Sequence, residues 1–397
     1  MLRIGALGVG GRASHMLGQL EKIDPTVKFV AGWDARPEFS RNVLAKAGLR
    51  EKPEDVRYYD DADEMLDKEK LDGVIIGTRC SLHTRMACKV ARRALPLFLE
   101  KPVATTMDDL RALKAAFDAS KSPVVVSFPL RLTLHVQKAR EIIDSGQIGT
   151  VEHIQAVNNV IYGWGYFRGW YRDIDETGGQ WLQKATHDFD YINYLLRQPP
   201  ALIAALHSQR VFGRLKPAGL KCDACDEAGT CPESPLAEQL RGETMYYANT
   251  AKEHPCAFGV DTKIEDNGSA LIEYANGVHA VYTQNFFVRR KDAGYRGATL
   301  IGYKGTIQFD FYTNTLRLVM HHKGITETMQ IAAEGGHGGG DQELAMSFLD
   351  IMTGRAESRS PISAGILSAY MCLKARESGE TKSFVKTDMT ELTVPPG

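Results

Sequence analysis

The sequence predicts an α/β protein: a doubly wound parallel sheet over residues 1–128, then an α+β domain with an open, largely antiparallel sheet over 129–397. Three observations carry that expectation. Up to Phe128, short apolar β-type runs alternate with amphipathic helical patterns, as in βαβ units. After Pro129, strands follow one another through turn dipeptides instead. The length, 397 residues, suggests two domains or one large one, with ample area for a hydrophobic core.

Taken in order, the strands of the first part read as Leu2–Leu7, Val27–Trp33, Gly73–Gly77, Leu97–Leu99 and Val124–Phe128. Val74-Ile75-Ile76 and Val124-Val125-Val126 are apolar on both faces, as strands in the middle of a parallel sheet are. Helical patterns lie at His15–Lys22, His83–Ala94 and Asp108–Ala119. In the second part a helix at Leu134–Ser145 ends at Gly146, a strand follows at Val151–Val157, and a helix spans Gly179–Leu196. Strands at Ala270–Tyr274 and Val278–Asn285 are joined by Asn276-Gly277, and those at Thr299–Gly302 and Thr306–Asp310 by Lys304-Gly305. The Cys-rich stretch 213–260 is too long for an ordinary loop and reads as an insertion or lid.

Charge narrows the function classes. Lys and Arg number 48 against 49 Asp and Glu, so the chain lacks the basic excess of a nucleic-acid or membrane-surface binder. No apolar run approaches the roughly 20 residues of a membrane span, and Met1–Leu7 reads as a strand rather than a signal peptide. The expectation is a cytoplasmic protein acting on a small molecule.

The first strand runs into Gly8-Val9-Gly10-Gly11-Arg12-Ala13, a G-x-G-x-x-A sequence that opens a helix. The first glycine permits a tight turn, the second lets backbone approach a pyrophosphate, and the small third residue allows close helix–strand packing. Phosphates then sit on free N–H groups at the positive end of the helix, which makes Gly8, Gly10, Gly11, Arg12 and Ala13 candidate cofactor contacts. The second strand ends near Asp34, whose carboxylate suits a ribose 2′-hydroxyl and repels a 2′-phosphate. Arg36 pulls the other way, since it can pair with such a phosphate; NAD is favoured over NADP. Thr78, His83 and Glu100, beyond later strands, complete the candidate cofactor set.

Glu100-Lys101-Pro102 follows the Leu97–Leu99 strand, and Gly178-Gly179 and His187-Asp188-Phe189-Asp190 come later. With the glycine motif, Arg131 and Ser145-Gly146-Gln147-Ile148-Gly149, their order and spacing resemble the Gfo/Idh/MocA oxidoreductase family over nearly the whole chain. The resemblance implies a Rossmann domain, a second domain whose open sheet often builds dimers or tetramers, and NAD(P)-linked chemistry on sugars or cyclitols. Carried over position by position, it makes Lys101 the catalytic lysine and His187 the catalytic histidine. One position departs from the pattern. Inositol-dehydrogenase-like members carry an acidic residue four before that histidine, where this chain has Gln183, followed by Lys184.

These residue types suit the implied chemistry. Oxidising a hydroxyl requires a base with a pKa near the working pH. Lysine starts near 10.4, so reaching about 7 needs roughly 4–5 kcal/mol of bias from burial or a neighbouring cation. Lys184 is the candidate cation and Glu100 the opposing charge. On a regular helix Gln183, Lys184, His187 and Asp190 or Tyr191 share a polar face, opposite Leu182, Ala185, Phe189, Ile192 and Leu196.

The loop from Tyr162 to Asp173 offers Trp164, Tyr166 and Trp170 to stack on a sugar, and Arg168 and Arg172 to bind an anionic group. With Lys101 and Lys184 these arginines would form a local cationic pocket in an otherwise neutral chain, suited to an anionic sugar. Arg131, Gln183 and Asp190 join them as candidate substrate contacts. Gly335-Gly336-His337-Gly338-Gly339-Gly340-Asp341 reads either as a turn with Asp341 as helix N-cap or as a close approach to ligand through His337. A similar GHGG-type run occurs in NAD-dependent glycosidases related to the family.

Cys222, Cys225, Cys231 and Cys256 have the number, and roughly the spacing, of a tetrahedral zinc site, with His254 as a substitute ligand. Such a site can contribute about 10 kcal/mol or more, enough to order an insertion. The alternative is reduced cysteines without metal. Three functions therefore stand side by side. The first is NAD-dependent oxidation of a sugar hydroxyl assisted by Lys101 and His187. The second is a redo-and-undo glycosidase, which oxidises a hydroxyl, eliminates the substituent, adds water and reduces again. The third is a non-enzymatic NAD-binding sensor.

Overall fold

The structure, a computed structural model, describes residues 1–240 and 254–393; residues 241–253 of the expected insertion and 394–397 lie outside the described residues. Among the described residues the first sheet contains β1 (Leu2–Leu7), β2 (Val27–Trp33), β3 (Arg57–Tyr59), β4 (Gly73–Ile76), β5 (Leu97–Leu99) and β6 (Val124–Val126). All are parallel, in the order β3-β2-β1-β4-β5-β6. That is the doubly wound dinucleotide-binding arrangement, with its switch point between β1 and β4. β4, β5 and β6 are buried throughout, as their unbroken apolar runs require. β3 escaped the sequence reading because Arg-Tyr-Tyr at the sheet's edge carries no apolar run, and Arg57 is exposed.

The second sheet contains β7 (Val151–Asn159), β8 (Pro200–Ser208), β9 (Asn267–Tyr274), β10 (His279–Asn285), β11 (Arg296–Gly302), β12 (Gly305–Asp310), β13 (Thr315–Met320), β14 (Thr326–Gln330) and β15 (Val385–Lys386). Their order is β14-β13-β12-β11-β7-β10-β9-β8-β15, antiparallel except where β7 and β10 run parallel. Asn276-Gly277 does turn β9 into β10, with Glu273 opposite His279 and Gly277 at φ +83°. β8, β13, β14 and β15 were not foreseen. β14 is a polar, exposed edge held only by β13, so no hydrophobic alternation marks it.

The helix Thr186–Leu196 lies on the inner face of this sheet, beside the C-terminal helix Ile362–Thr381. Thr186 Oγ1 and Ser368 Oγ, 3.0 Å apart, link the two helices. A second return of the chain was also unforeseen. Leu344, Phe348 and Leu349, on the helix Gly340–Thr353, pack with Ile4, Val9 and Leu17 in the core of the first sheet. The C-terminal part thereby reaches the glycine motif. Among the described residues no helix is long and apolar enough to cross a membrane.

Candidate active site

A cavity of about 740 Å³ opens at the C-terminal ends of β1, β2, β4, β5 and β6, where open α/β sheets place ligands. One end is a phosphate cradle. Gly8 has φ +80°, and a Cβ there would stand 2.4 Å from the Thr78 backbone nitrogen. A Cβ on Gly77 would stand 2.8 Å from that of Ala13, which is the close packing the small third residue was read to serve. The helix Gly11–Ile23 begins at Gly10 without a side-chain cap, leaving first-turn N–H groups for an anion. These residues fit a dinucleotide. Gly8→Ala is expected to raise the NAD dissociation constant more than about tenfold, because strain and overlap together exceed about 1.4 kcal/mol. Titration of NAD binding checks this; unchanged affinity would remove Gly8 from the cradle.

Asp34 borders the same end and orders its own turn: Oδ2 accepts from Val9 N at 2.9 Å and Oδ1 from Arg36 N at 2.8 Å. The Arg36 guanidinium lies over Phe39, 4.6 Å from the ring centroid. His83 joins two strand-end loops, with Nδ1 2.7 Å from Pro102 O and Nε2 3.1 Å from Thr78 O; burial pushes its pKa down. Arg12 is held by carboxylates, with Nε 3.2 Å from Glu100 and Nη2 3.0 Å from Asp341 Oδ1.

The other end brings Lys101, Gln183, Lys184 and His187 together. Lys101 Nζ donates to the Gln183 carbonyl at 3.0 Å. Burial pushes the Lys101 amine down to about 8; Lys184 and Arg12 push the same way, against Cys80 and Glu100. Lys184 is driven well below the ordinary lysine range by burial and the Arg296 charge, and its Nζ lies 2.5 Å from Tyr162 OH. His187 is likewise held well below its usual pKa by burial and nearby cations, Lys101 first among them. Its Nδ1 is buried with no partner among the described residues.

Two aspartates that follow His187 on its helix set its position. Asp188 Oδ2 accepts from Asn158 at 2.7 Å and from Tyr282 OH at 3.0 Å, and Oδ1 lies 3.2 Å from Arg296, tying the helix to β7, β10 and β11. Asp190 Oδ2 accepts from Arg131 Nε at 2.9 Å. His187, just ahead of these anchors, lines the cavity. Two family models match this architecture: residues 2–128 match the oxidoreductase family with the NAD-binding Rossmann fold, and residues 136–308 match the GFO/IDH/MocA C-terminal domain.

The chain belongs to the Gfo/Idh/MocA oxidoreductases. Its relatives in that family include YteT of Bacillus subtilis, 27% identical over 85% of this chain and 86% of that protein. The myo-inositol 2-dehydrogenase of Thermotoga maritima is 22% identical over 84% of this chain and 92% of its own length. Among solved structures, levoglucosan dehydrogenase with NADH and levoglucosan aligns over 97% of this chain and 99% of its own, with TM-score 0.75 and 17% identity. The aldose-aldose oxidoreductase of Caulobacter crescentus aligns over the same shares with TM-score 0.71. At that identity the likeness establishes the fold.

This Gfo/Idh/MocA oxidoreductase departs from several sequence expectations. Residues Trp181–Ala185 form a π-helical turn ahead of the α-helix, so the regular spacing that put Gln183 and Lys184 above His187 does not apply. The expected polar face is buried too, because the helix is covered by the sheet, the C-terminal helix and the cavity wall. Arg131 and Asp190 bind each other beneath the helix and do not line the cavity. Arg168 and Arg172 also fail to reach it. Arg168 Nη2 lies 3.5 Å from Glu233 and its guanidinium 3.7 Å from the centroid of Trp164, which is outside the cavity as well. Arg172 donates to Cys256 O at 3.2 Å and pairs with Asp261 at 2.5 Å. The arginines that suggested an anionic sugar thus hold the Cys-rich segment against the loop. Tyr166 and Trp170 do line the cavity.

Zinc is not borne out either. Among the described residues no group of three or more His, Cys, Asp or Glu side chains is arranged to hold a metal ion. Burial and the neighbouring cysteines push the Cys222 thiol up to about 11, against the pull of Arg168. Cys225 Sγ approaches Asp226 Oδ1 at 3.9 Å. Ala257 of this segment, with Phe212 and Ile264 on either side of it, shares a buried cluster with Tyr166, Phe167 and Phe286.

The reading also missed residues. Tyr162 and Cys80 line the cavity; Tyr162 stood within the aromatic loop already singled out, whereas nothing distinguished Cys80 from the scattered cysteines. Asp341 is not the N-cap, which is Gly339; it lies in the helix's first turn and receives Arg12, His15 and His337.

Proposed function

We propose that this oxidoreductase is an NAD-dependent dehydrogenase that oxidises a secondary hydroxyl of a sugar or cyclitol, with Lys101 taking the hydroxyl proton. One observation carries the reading: a buried lysine amine, lowered to about 8, stands in the same cavity as the dinucleotide cradle. NAD would be held by Gly8, Gly10 and the first turn of the helix Gly11–Ile23, with Asp34 on the ribose; when bound it accepts the hydride leaving the substrate carbon. Lys101, aimed by the Gln183 carbonyl, accepts the hydroxyl proton. His187, kept neutral by its surroundings, is placed to hydrogen-bond a substrate hydroxyl. Tyr166 and Trp170 offer ring faces to the C–H surface of a sugar. With Arg168 and Arg172 occupied elsewhere, the cavity suits a neutral polyol.

Dehydrogenases of inositol and levoglucosan among the related proteins support that substrate class. The redox-neutral glycosidase has one observation of its own, a second proton-transfer pair formed by Lys184 and Tyr162. The separating experiment supplies NAD or NADP with a panel of cyclitols, anhydrosugars, aldoses and chromogenic glycosides. Reduced NAD formed in step with product, and little with NADP, is the expected result. Aglycone released in many turnovers per NAD would replace the dehydrogenase by the glycosidase; neither activity would leave a binding role.

A further inference from the structure

Under the dehydrogenase reading, Lys101 is a buried amine that gains a proton in every oxidative turnover. It donates to the Gln183 carbonyl, which cannot take that proton away. His187 offers no route either. It is buried, its Nδ1 has no partner among the described residues, and Gln183 donates its amide to Thr177 O at 3.0 Å. The imidazole of His337 lines the same cavity. The His337 ring centroid lies 6.5 Å from that of His187, and its side chain is 38% exposed, so the ring borders both the cavity and water.

His337 has the carboxylate that His187 lacks. Its Nδ1 lies 2.9 Å from Asp341 Oδ2, and that carboxylate is itself fixed by Arg12 at 3.0 Å and His15 at 3.1 Å. Asp341 is nearly fully buried. Burial raises its pKa, but His15, His337 and Arg12 together hold it below the usual carboxylate range. An ionised carboxylate only accepts hydrogen bonds, so His337 donates Nδ1–H to it and keeps the Nε2 lone pair for a proton. The backbone at His337 is strained to match, with φ +47° and ψ +43° between glycines that permit the turn. The groups facing the ring are Asp341 on its own segment, Arg12 and His15 on the helix Gly11–Ile23, and His187, whose ring Lys101 also affects; Lys101 lines the same cavity.

We infer that His337 is the proton shuttle of this cavity, and that Asp341 is its positioning residue. In the oxidative direction the substrate O–H bond breaks, the proton forms the third N–H bond of Lys101, and the neutral amine is restored when that proton reaches His337 Nε2. The imidazolium then gives it to water, Nδ1–H staying on Asp341. No electrons move in this relay. The carboxylate–imidazole pair of the site therefore sits on the glycine loop rather than on the His187 helix.

The test uses full-length protein loaded with NAD. His337→Asn suits the left-handed backbone and removes the shuttle. Expected is a first turnover of hydride transfer at the wild-type rate, with steady-state kcat lowered about 10²-fold and restored by added imidazole. Unchanged steady-state turnover, or a loss that imidazole does not restore, would overturn the inference. The inference rests on the dehydrogenase reading, so a second measurement needs no substrate. Nitrogen-15 spectra should show His337 as the Nδ1–H tautomer, and Asp341→Asn should shift it toward Nε2–H. A ring that shows the same tautomer mixture in both proteins would count against Asp341 as the positioning residue even if no polyol is turned over.

Discussion

Lys101→Ala is expected to lower kcat for polyol oxidation by about 10²–10⁴-fold while leaving the NAD dissociation constant within about twofold. The pKa of the amine, pushed down to about 8 by burial, fits a general base, and the amine stands beyond the phosphate cradle rather than in it. Lys101→Arg separates base from charge: a guanidinium stays protonated, so the arginine variant should be as poor as the alanine one. The sign of the pH dependence follows. A base must begin unprotonated, so wild-type kcat/KM for oxidation should rise with pH and level off above about pH 8. Reduction of the corresponding ketone, which needs the protonated amine, should fall through the same range. Retained activity in either variant, or an oxidation rate that falls through that range, would remove Lys101 from the chemistry.

Arg131→Ala is expected to cost about 3–5 kcal/mol of unfolding free energy, measured in urea, and to leave the substrate KM nearly unchanged. The reason is the carboxylate left behind. Asp190 is fully buried, and burial already pushes it up to about 6 against the pull of Arg131. Without the arginine its native-state pKa rises further above the unfolded value of about 3.9. Between those two values the native state binds a proton that the unfolded state does not, so stability falls as pH rises through that window. The variant's deficit should therefore be larger near pH 8 than near pH 5. A raised KM with unchanged stability would restore Arg131 to the substrate site.

Arg131 marks how far sequence reasoning reaches. The βαβ alternation, the glycine motif and Asp34 were legible because each is a local pattern whose physics is local: a turn, a helix end, a strand end. Lys101 and His187 were singled out through the family resemblance, and the structure brings both to the cavity. Arg168 and Arg172 were misassigned for a complementary reason. A sequence shows that an arginine stands in a loop beside aromatics, but not which carboxylate, hundreds of ångströms of chain away or next door, folds back to meet it. Glu233 and Asp261 did. The π-helical turn at Trp181–Ala185 was equally hidden, since one extra residue per turn leaves no mark in apolar periodicity.

By itself, then, the sequence determined the fold class and the glycine motif of this oxidoreductase, because those depend on order and short-range spacing, and through the family resemblance it pointed to Lys101 and His187. The tertiary structure alone decided which charges face the cavity. It turned Arg131 and Arg168 to the buried carboxylates of Asp190 and Glu233 and Arg172 to Asp261, and it brought Asp341 from the far end of the chain to His337 and Arg12. Burial is the physical reason: a charge taken out of water must find its opposite, and where that partner lies is a property of the folded chain.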